Sequence, residues 1–386
     1  MHHTEAYIEA FAAGLMEIGT HSLVAPGRPL DWIIIVNPKA GGFTIPSRWK
    51  RHYTALGKSL EKAGNNPLRK DAGPCPVVRD LEPGQSILGK QGVLLTRGRG
   101  HVEKIIRDII PALSATIKDG TFHLIITAGG DGTSLEVLNV LYEASPELRS
   151  NFAVLRLPLG TGNDGADAWE LDTALDLLLY PSRIELSRAL RLTTAAGQGP
   201  FYAFNILSIG LDAFVTHMTN RMKGNLPGDS YKLWVDIAAL LYDRFYRVGP
   251  MTVRGFDNTG NLVQSFQEAL LLLAVGVSGH RTYGSHKWIL PDERNVCALK
   301  QMPLFRKLAL KGLFNTGGHI DKPESILFNA RRVEFQGAYP VLAQMDGETV
   351  VLQPEDFPGV IELSEPVIPL LKNIREIPQV TPVISG

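Results

Sequence analysis

Residues 122–136 read Phe122-His123-Leu124-Ile125-Ile126-Thr127-Ala128-Gly129-Gly130-Asp131-Gly132-Thr133-Ser134-Leu135-Glu136. The apolar run at the start predicts a buried β-strand. Three glycines around one aspartate then form a tight turn, and Leu135–Tyr142 follows with helical spacing. Such glycines let the backbone approach a polyphosphate closely, and the positive end of the following helix faces the same place. A turn needs no carboxylate between its glycines, so Asp131 suits a divalent cation or a reacting hydroxyl.

The same grammar recurs on both sides. Trp32–Val36 is an apolar run that ends in Asn37-Pro38-Lys39-Ala40-Gly41-Gly42. Gly92–Thr96 reads as a further strand and His101–Leu113 as a helix. Ala153–Pro158 is a strand running into Gly160-Thr161-Gly162-Asn163-Asp164, with another helix expected after it. Strand, glycine turn and helix in repetition predict an α/β domain with a mainly parallel sheet, whose ligands bind beyond the carboxyl ends of the strands. Taken singly, each turn has a plain alternative: a strand-ending turn at Asn37, a helix cap at Asn163-Asp164, a hairpin at Gln344-Met345-Asp346-Gly347-Glu348. After about residue 180 the alternation stops. Candidate strands follow one another at Arg188–Thr194, Tyr202–Ile209, Pro250–Phe256, Glu268–Val277, Ile326–Gln336 and Thr349–Leu352, with one helix at Tyr231–Tyr246, which predicts an antiparallel β domain.

Composition narrows the function. Lys plus Arg and Asp plus Glu both number 39, a zero balance that argues against a nucleic-acid partner. Cys75 and Cys297 are too few for a disulfide scaffold, which fits a reducing, cytoplasmic setting. The longest apolar run, Ala269–Val277, is far short of the ~20 residues of a spanning helix. Residues 1–20 carry Glu5, Glu9 and Glu17 and no Lys or Arg, unlike a secretory signal. Tyr7, Ile8, Phe11, Leu15 and Ile18 give that segment one apolar helical face, expected to pack on the body of the protein.

No G-x-x-x-x-G-K-[ST] loop occurs. Instead, N-P-x-x-G at Asn37, T-x-x-x-G-H at Thr96–His101, GGDGT at Gly129–Thr133, Glu136 and Asn139 on the next helix, P-x-GTGND at Pro158–Asp164, N-x-x-S-x-G-x-D at Asn205–Asp212 and D-G-E at Asp346–Glu348 stand in one order. Together they resemble the diacylglycerol kinase catalytic domain family, which includes bacterial lipid kinases and sphingosine kinases, from Ile33 to about Leu363. The resemblance implies an α/β plus β fold: an N-terminal NAD-kinase-like, Rossmann-type α/β domain and a C-terminal antiparallel β-sandwich domain. The expected boundaries are a helical extension at 1–30, a nucleotide-binding domain at 31–180 to which the chain returns at 364–386, and a β-rich lipid-substrate domain at 181–363.

It further implies an ATP-dependent, magnesium-using lipid kinase that phosphorylates a hydroxyl of a diacylglycerol-like or long-chain-base lipid, touches membranes transiently and peripherally, and binds no nucleic acid; a homodimer is left open. ATP would be held by Asn37, Pro38, Lys39, Ala40 and Gly41, by Thr96, by Gly129, Gly130, Asp131, Gly132, Thr133, Ser134, Leu135 and Glu136, and by Gly160, Thr161, Asn163 and Asp164. Glu348 would be the catalytic base and Asp131 a catalytic, metal-linked carboxylate. Lys39, Arg97 and Arg99 are further candidate cations. One departure stands out: bacterial members often carry P-x-A-x-x-x-D-G, whose Asp helps hold a structural magnesium, whereas Cys297 and Ala298 occupy the Asp-Gly positions here, with Asp292 or Glu293 as substitutes. The alternatives are a non-catalytic nucleotide or lipid sensor and a NAD kinase; the latter lacks its expected G-S-T-A-Y-type segment here.

Overall fold

The computed structural model describes residues 2–24, 27–65, 93–113, 117–160, 162–222, 242–284 and 286–373. Four parallel strands, β1 (Leu30–Val36), β2 (Val93–Leu95), β3 (Phe122–Gly129) and β4 (Phe152–Pro158), stand in the order β2-β1-β3-β4. Every residue of β1, β3 and β4 is buried, as expected of strands covered on both faces. Alternation sends Trp32, Ile34, Leu124, Ile126 and Leu155 to one face, against α1 (His2–Thr20), α2 (Pro46–Gly64) and the helix Leu171–Leu179. It sends Ile33, Ile35, Ile125 and Val154 to the other, against α3 (His101–Ala112) and α4 (Asp131–Glu143). The N-terminal helix packs on this body through fully buried Phe11, Leu15 and Ile18, and Tyr7 stacks on Trp49 at 4.6 Å between ring centroids.

The chain comes back to this sheet. Strand Ile368–Asn373 runs parallel beside β4, and Ser182–Ser187 pairs antiparallel outside it, completing six strands. Ser182–Ser187 therefore sits on the first sheet, although the sequence-based boundary groups it with 181–363. The junction is fastened by charge. Arg156 on β4 pairs with Asp167 at 2.8 Å with both side chains almost fully buried, and Lys372 on the returning strand reaches the same carboxylate at 3.0 Å. Burial alone would raise the Asp167 carboxyl, but Arg156 and Lys372 hold it at about 2.

Among the described residues, an eleven-stranded antiparallel network forms the second body. Its organiser is the 15-residue strand Leu262–Gly276, whose first half pairs with Pro250–Phe256 and whose second half pairs with Ile206–Gly210 and Val296–Lys300. Side chains from the two halves, such as Val253, Phe335 and Ile361 against Leu207, Leu273 and Val296, share one core, which makes the body a sandwich.

Some expected elements divide. Ile326–Gln336 is two strands, Ser325–Phe328 and Arg332–Gln336, which pair with different halves of the sandwich. Tyr202–Ile209 breaks at Phe204-Asn205 into Phe201–Ala203 and Ile206–Gly210. No helix follows Asp164 directly; turns lead to Leu171–Leu179. Of the expected helix Tyr231–Tyr246, residues 231–241 lie outside the described residues, and Tyr242–Phe245 forms one turn.

The buried pair sets a stability expectation. Asp167→Ala strands the Arg156 charge in the interior and costs about 3–5 kcal/mol of unfolding free energy at neutral pH. Because the Asp167 carboxyl is depressed, its contribution is present above the unfolded value of about 4 and is lost as pH falls toward about 2. Urea midpoints of wild type and variant should therefore converge with acidification; equal midpoints at neutral pH would contradict this anchor.

Candidate active site

The carboxyl ends of β1, β3 and β4 meet the hairpin Val341–Met345/Glu348–Leu352 of the sandwich around a cavity of about 850 Å³. Asn37, Lys39, Ala40, Gly41, Thr96, Gly130, Asp131, Gly132, Thr133, Glu136, Gly160 and Glu348 line it, so most of the residues singled out from separate motifs converge. The GGDGT and GTGND turns touch backbone to backbone: a Cβ at Gly160 would lie 2.4 Å from the Gly130 Cα. Asn37 Nδ2 donates to Thr133 Oγ1 at 3.3 Å, joining the first turn to the second.

The hairpin reaches across through a two-residue turn. Asp346 and Gly347 have φ of 45° and 102°, the mirror-image geometry that Asp-Gly favours between strands. Asp346 is also an anchor: its carboxylate accepts the amides of Phe204, Asn205 at 3.1 Å and Ile206 at 2.9 Å. That grip explains the strand break at 204–205. It sets Glu348 so that its Oε1 stands 3.5 Å from where a Gly132 Cβ would be. Glu348 Oε2 pairs with Arg99 at 2.7 Å. Burial raises its carboxyl above the ordinary range, against the pull of Arg99 and with help from Glu136.

Asp131 Oδ1 accepts the Gly165 amide at 2.8 Å. Its Oδ2 and Asp164 Oδ2 would each lie 3.2 Å from a Cβ at Gly162. Burial and the charge of Asp164 push the Asp131 carboxyl up to about 6. Two carboxylate oxygens turned to one point are hard donors of the kind magnesium takes when waters and phosphates complete its shell. A cation there would relieve the repulsion between them.

Several of the motif residues also hold the loops in place. The Glu136 carboxylate accepts the amides of Gly100, Val102 and Glu103 at 2.8, 2.9 and 3.2 Å, holding the start of α3. Ser134 bonds Thr127 at 2.9 Å, and Leu135 lies in the core. Asn163 Oδ1 accepts the Gly160 amide at 2.6 Å while its Nδ2 reaches the Pro158 and Gly160 carbonyls, so it clamps its own turn. Asp164 accepts the His286 amide at 2.9 Å. Pro38, Gly129, Ser134, Leu135, Asn163, Asp164 and Arg97 do not line the cavity, and Thr161 lies outside the described residues. In the sandwich, Asp292 is paired with Arg294 at 2.9 Å. Cys297 is a core residue whose thiol burial pushes up to about 12. Among the described residues no group of three metal-ligating side chains occurs.

Sequence reasoning missed the far wall. Asn220 Nδ2 donates to the Gly347 carbonyl at 2.7 Å. The Tyr283 hydroxyl stands 3.9 Å from where a Gly347 Cβ would be and bonds Thr216 at 3.1 Å. Behind it lies a second, largely apolar chamber of about 140 Å³, lined by Leu271, Leu272, Ile289, Leu299 and Phe314 with Asp212, Tyr283, Lys287, Lys307 and Lys311 as its polar members. Burial pushes the Asp212 carboxyl up to about 6, against a 2.6 Å hydrogen bond from Ser208. Asp212 closes the quoted Asn205–Asp212 stretch, a sequence signal without a role; Tyr283 had none.

Residues 79–192 match the family model of the diacylglycerol kinase catalytic domain. Among curated proteins the chain is similar to "Putative lipid kinase YtlR" of Bacillus subtilis (strain 168), with 24% identity covering 84% of this chain and 94% of that protein. It is also similar to "Probable lipid kinase YegS-like" of Xanthomonas oryzae pv. oryzae, with 26% identity covering 70% and 85%. Its fold is that of a solved structure titled as a putative diacylglycerol kinase from Bacillus anthracis str. Sterne, with a TM-score of 0.55 and 17% identity over 91% of this chain and 97% of that one. The resemblance carried by the motifs and the two-part α/β plus β fold are both borne out.

The contact between the two turns is testable by itself. Gly160→Ala forces its Cβ against backbone and should cost about 1–3 kcal/mol. Gly130→Ala places its Cβ 3.4 Å from Gly160 and should cost under about 1 kcal/mol. Indistinguishable denaturation midpoints for the two variants would contradict the packing.

Proposed function

We propose that this chain, similar over residues 79–192 to the diacylglycerol kinase catalytic domain, is an ATP-dependent kinase that transfers the γ-phosphate to a hydroxyl of a diacylglycerol-like or long-chain-base lipid. The observation that carries this reading is the shared wall at Gly347 and Tyr283, with a glycine-lined polar cavity on one side and an apolar chamber on the other. A lipid with its apolar end in the chamber would bring its hydroxyl to that wall, beside Glu348.

Phosphoryl transfer is mostly positioning and charge neutralisation, and the residues divide that work. The backbone at Gly130–Thr133 and Gly160 would cradle the phosphates, with Asn37 and Thr96 bordering them. Magnesium, when bound, would neutralise phosphate charge, and Asp131, which lines the cavity, would hold it with phosphate and water completing its shell. Glu348 is the proposed base: it faces the glycine turn, its raised carboxyl is closer to the operating pH, and the Arg99 pair keeps a share of it ionised. The acceptor oxygen gives its proton to Glu348 as it bonds to the γ-phosphorus, and the bond to the β,γ-bridging oxygen breaks to release ADP. Among the described residues no helix is long and apolar enough to cross a membrane. A cytoplasmic, membrane-peripheral location belongs to the same proposal.

Transfer of labelled γ-phosphate from ATP to a panel of diacylglycerols and long-chain bases in mixed micelles, with NAD included, tests the reading. Glu348→Gln should lower turnover about 10²–10⁴-fold with nucleotide affinity nearly unchanged. Wild-type turnover should rise as pH increases through the raised Glu348 value, and this limb should vanish in the variant. Labelling of NAD alone, or near-normal turnover of Glu348→Gln, would contradict the assignment.

A further inference from the structure

Helix Leu304–Leu313 (LFRKLALKGL) is inverted relative to an ordinary surface helix. Leu304, Phe305 and Leu308 are 43%, 83% and 48% exposed. With exposed Ala309 and Gly312 they form one strip at i, i+1, i+4, i+5 and i+8. The cations lie off that strip. Lys307 is buried against Asp243 at 2.9 Å, Arg306 reaches Glu324 at 2.6 Å, and Lys311 lines the apolar chamber beside Leu310 and Phe314. The strip itself therefore carries no charge, while the inward face walls the chamber assigned above to the lipid.

We propose that this outward face docks on a lipid bilayer with anionic headgroups, seating the apolar chamber against the membrane. The purpose of such docking rests on the lipid-kinase reading. A second copy of the chain fits the face poorly. A ten-residue helix is about 15 Å long and about 10 Å across, so the strip offers roughly 150 Å², against about 800 Å² per partner in a stable protein interface. A bilayer needs no matching surface, only apolar side chains to enter and cations at headgroup level. The helix supplies both: Leu304, Phe305 and Leu308 face outward, and half-exposed Arg306, although paired with Glu324, and Lys311 stand beside the strip, with no acidic residue in the helix. Lys287, which also lines the chamber, adds a cation close by.

The test is co-sedimentation of the full-length protein, without nucleotide, with vesicles of equal parts phosphatidylcholine and phosphatidylglycerol. Wild type should pellet with the vesicles. Replacing Phe305 and Leu308 together (F305S with L308S) should weaken partitioning by about 10²-fold, from two side chains no longer buried. The same variant should lose phosphorylation of a vesicle-embedded acceptor yet keep that of a short-chain acceptor in free solution, since neither residue lines either cavity. Wild type that stays in the supernatant, or a variant that partitions like wild type, would overturn the proposal. So would gel filtration showing a wild-type dimer that the variant loses, because the strip would then be an interface between copies. Docking without any lipid phosphorylation would support the docking face and count against the kinase reading alone.

Discussion

A single buried carboxylate fixes the geometry on which the site depends. Asp346 sits at the tip of a hairpin and accepts three successive amides at Phe204, Asn205 and Ile206. Charge-assisted bonds of this kind are worth about twice neutral ones, and a buried carboxylate left without them would be costly. The hairpin tip is therefore tied to the strand break at 204–205. Glu348, two residues on, has one place to go: against the GGDGT turn of the other body. The Arg156–Asp167–Lys372 cluster locks the returning strand to β4, close behind the same turns.

The parallel half of the fold was legible because its signals are local. Each strand is a run of apolar residues ended by glycines, and burial on both faces leaves little else those runs can be. Convergence of Asn37, Thr96, Gly130 and Gly160 on one cavity follows from topology, since all stand at the same ends of parallel strands. The sandwich was legible only as a class. Ile326–Gln336 reads as one alternating run, and its division depends on pairing with strands 26 and more residues away, such as Val296–Lys300 and Pro250–Phe256.

Within the motifs, several polar groups also hold the loops themselves. Glu136, Ser134 and Asn163 sit inside the right motifs, yet their polar groups are consumed by the amides of α3, by Thr127 and by the turn at Gly160. A motif says which residue types a loop needs; it does not say which face the ligand and which hold the loop. Tyr283 and Asn220 were invisible for the opposite reason. Each is an ordinary residue in its own segment, and it gains meaning only when Gly347 is brought beside it. The exposed strip of Leu304–Leu313 shows the same ambiguity, because an apolar helical stripe in sequence does not reveal whether it faces the core or the solvent.

The central claim is that one cleft, closed from both bodies, serves the reaction. Amide hydrogen exchange of the full-length protein with and without magnesium and ATP tests it most directly. Slowed exchange at residues 130–133 together with residues 347–348, which belong to different bodies but line the same cavity, is the expected result. Protection confined to the glycine turns, with 347–348 exchanging as in the free protein, would contradict it.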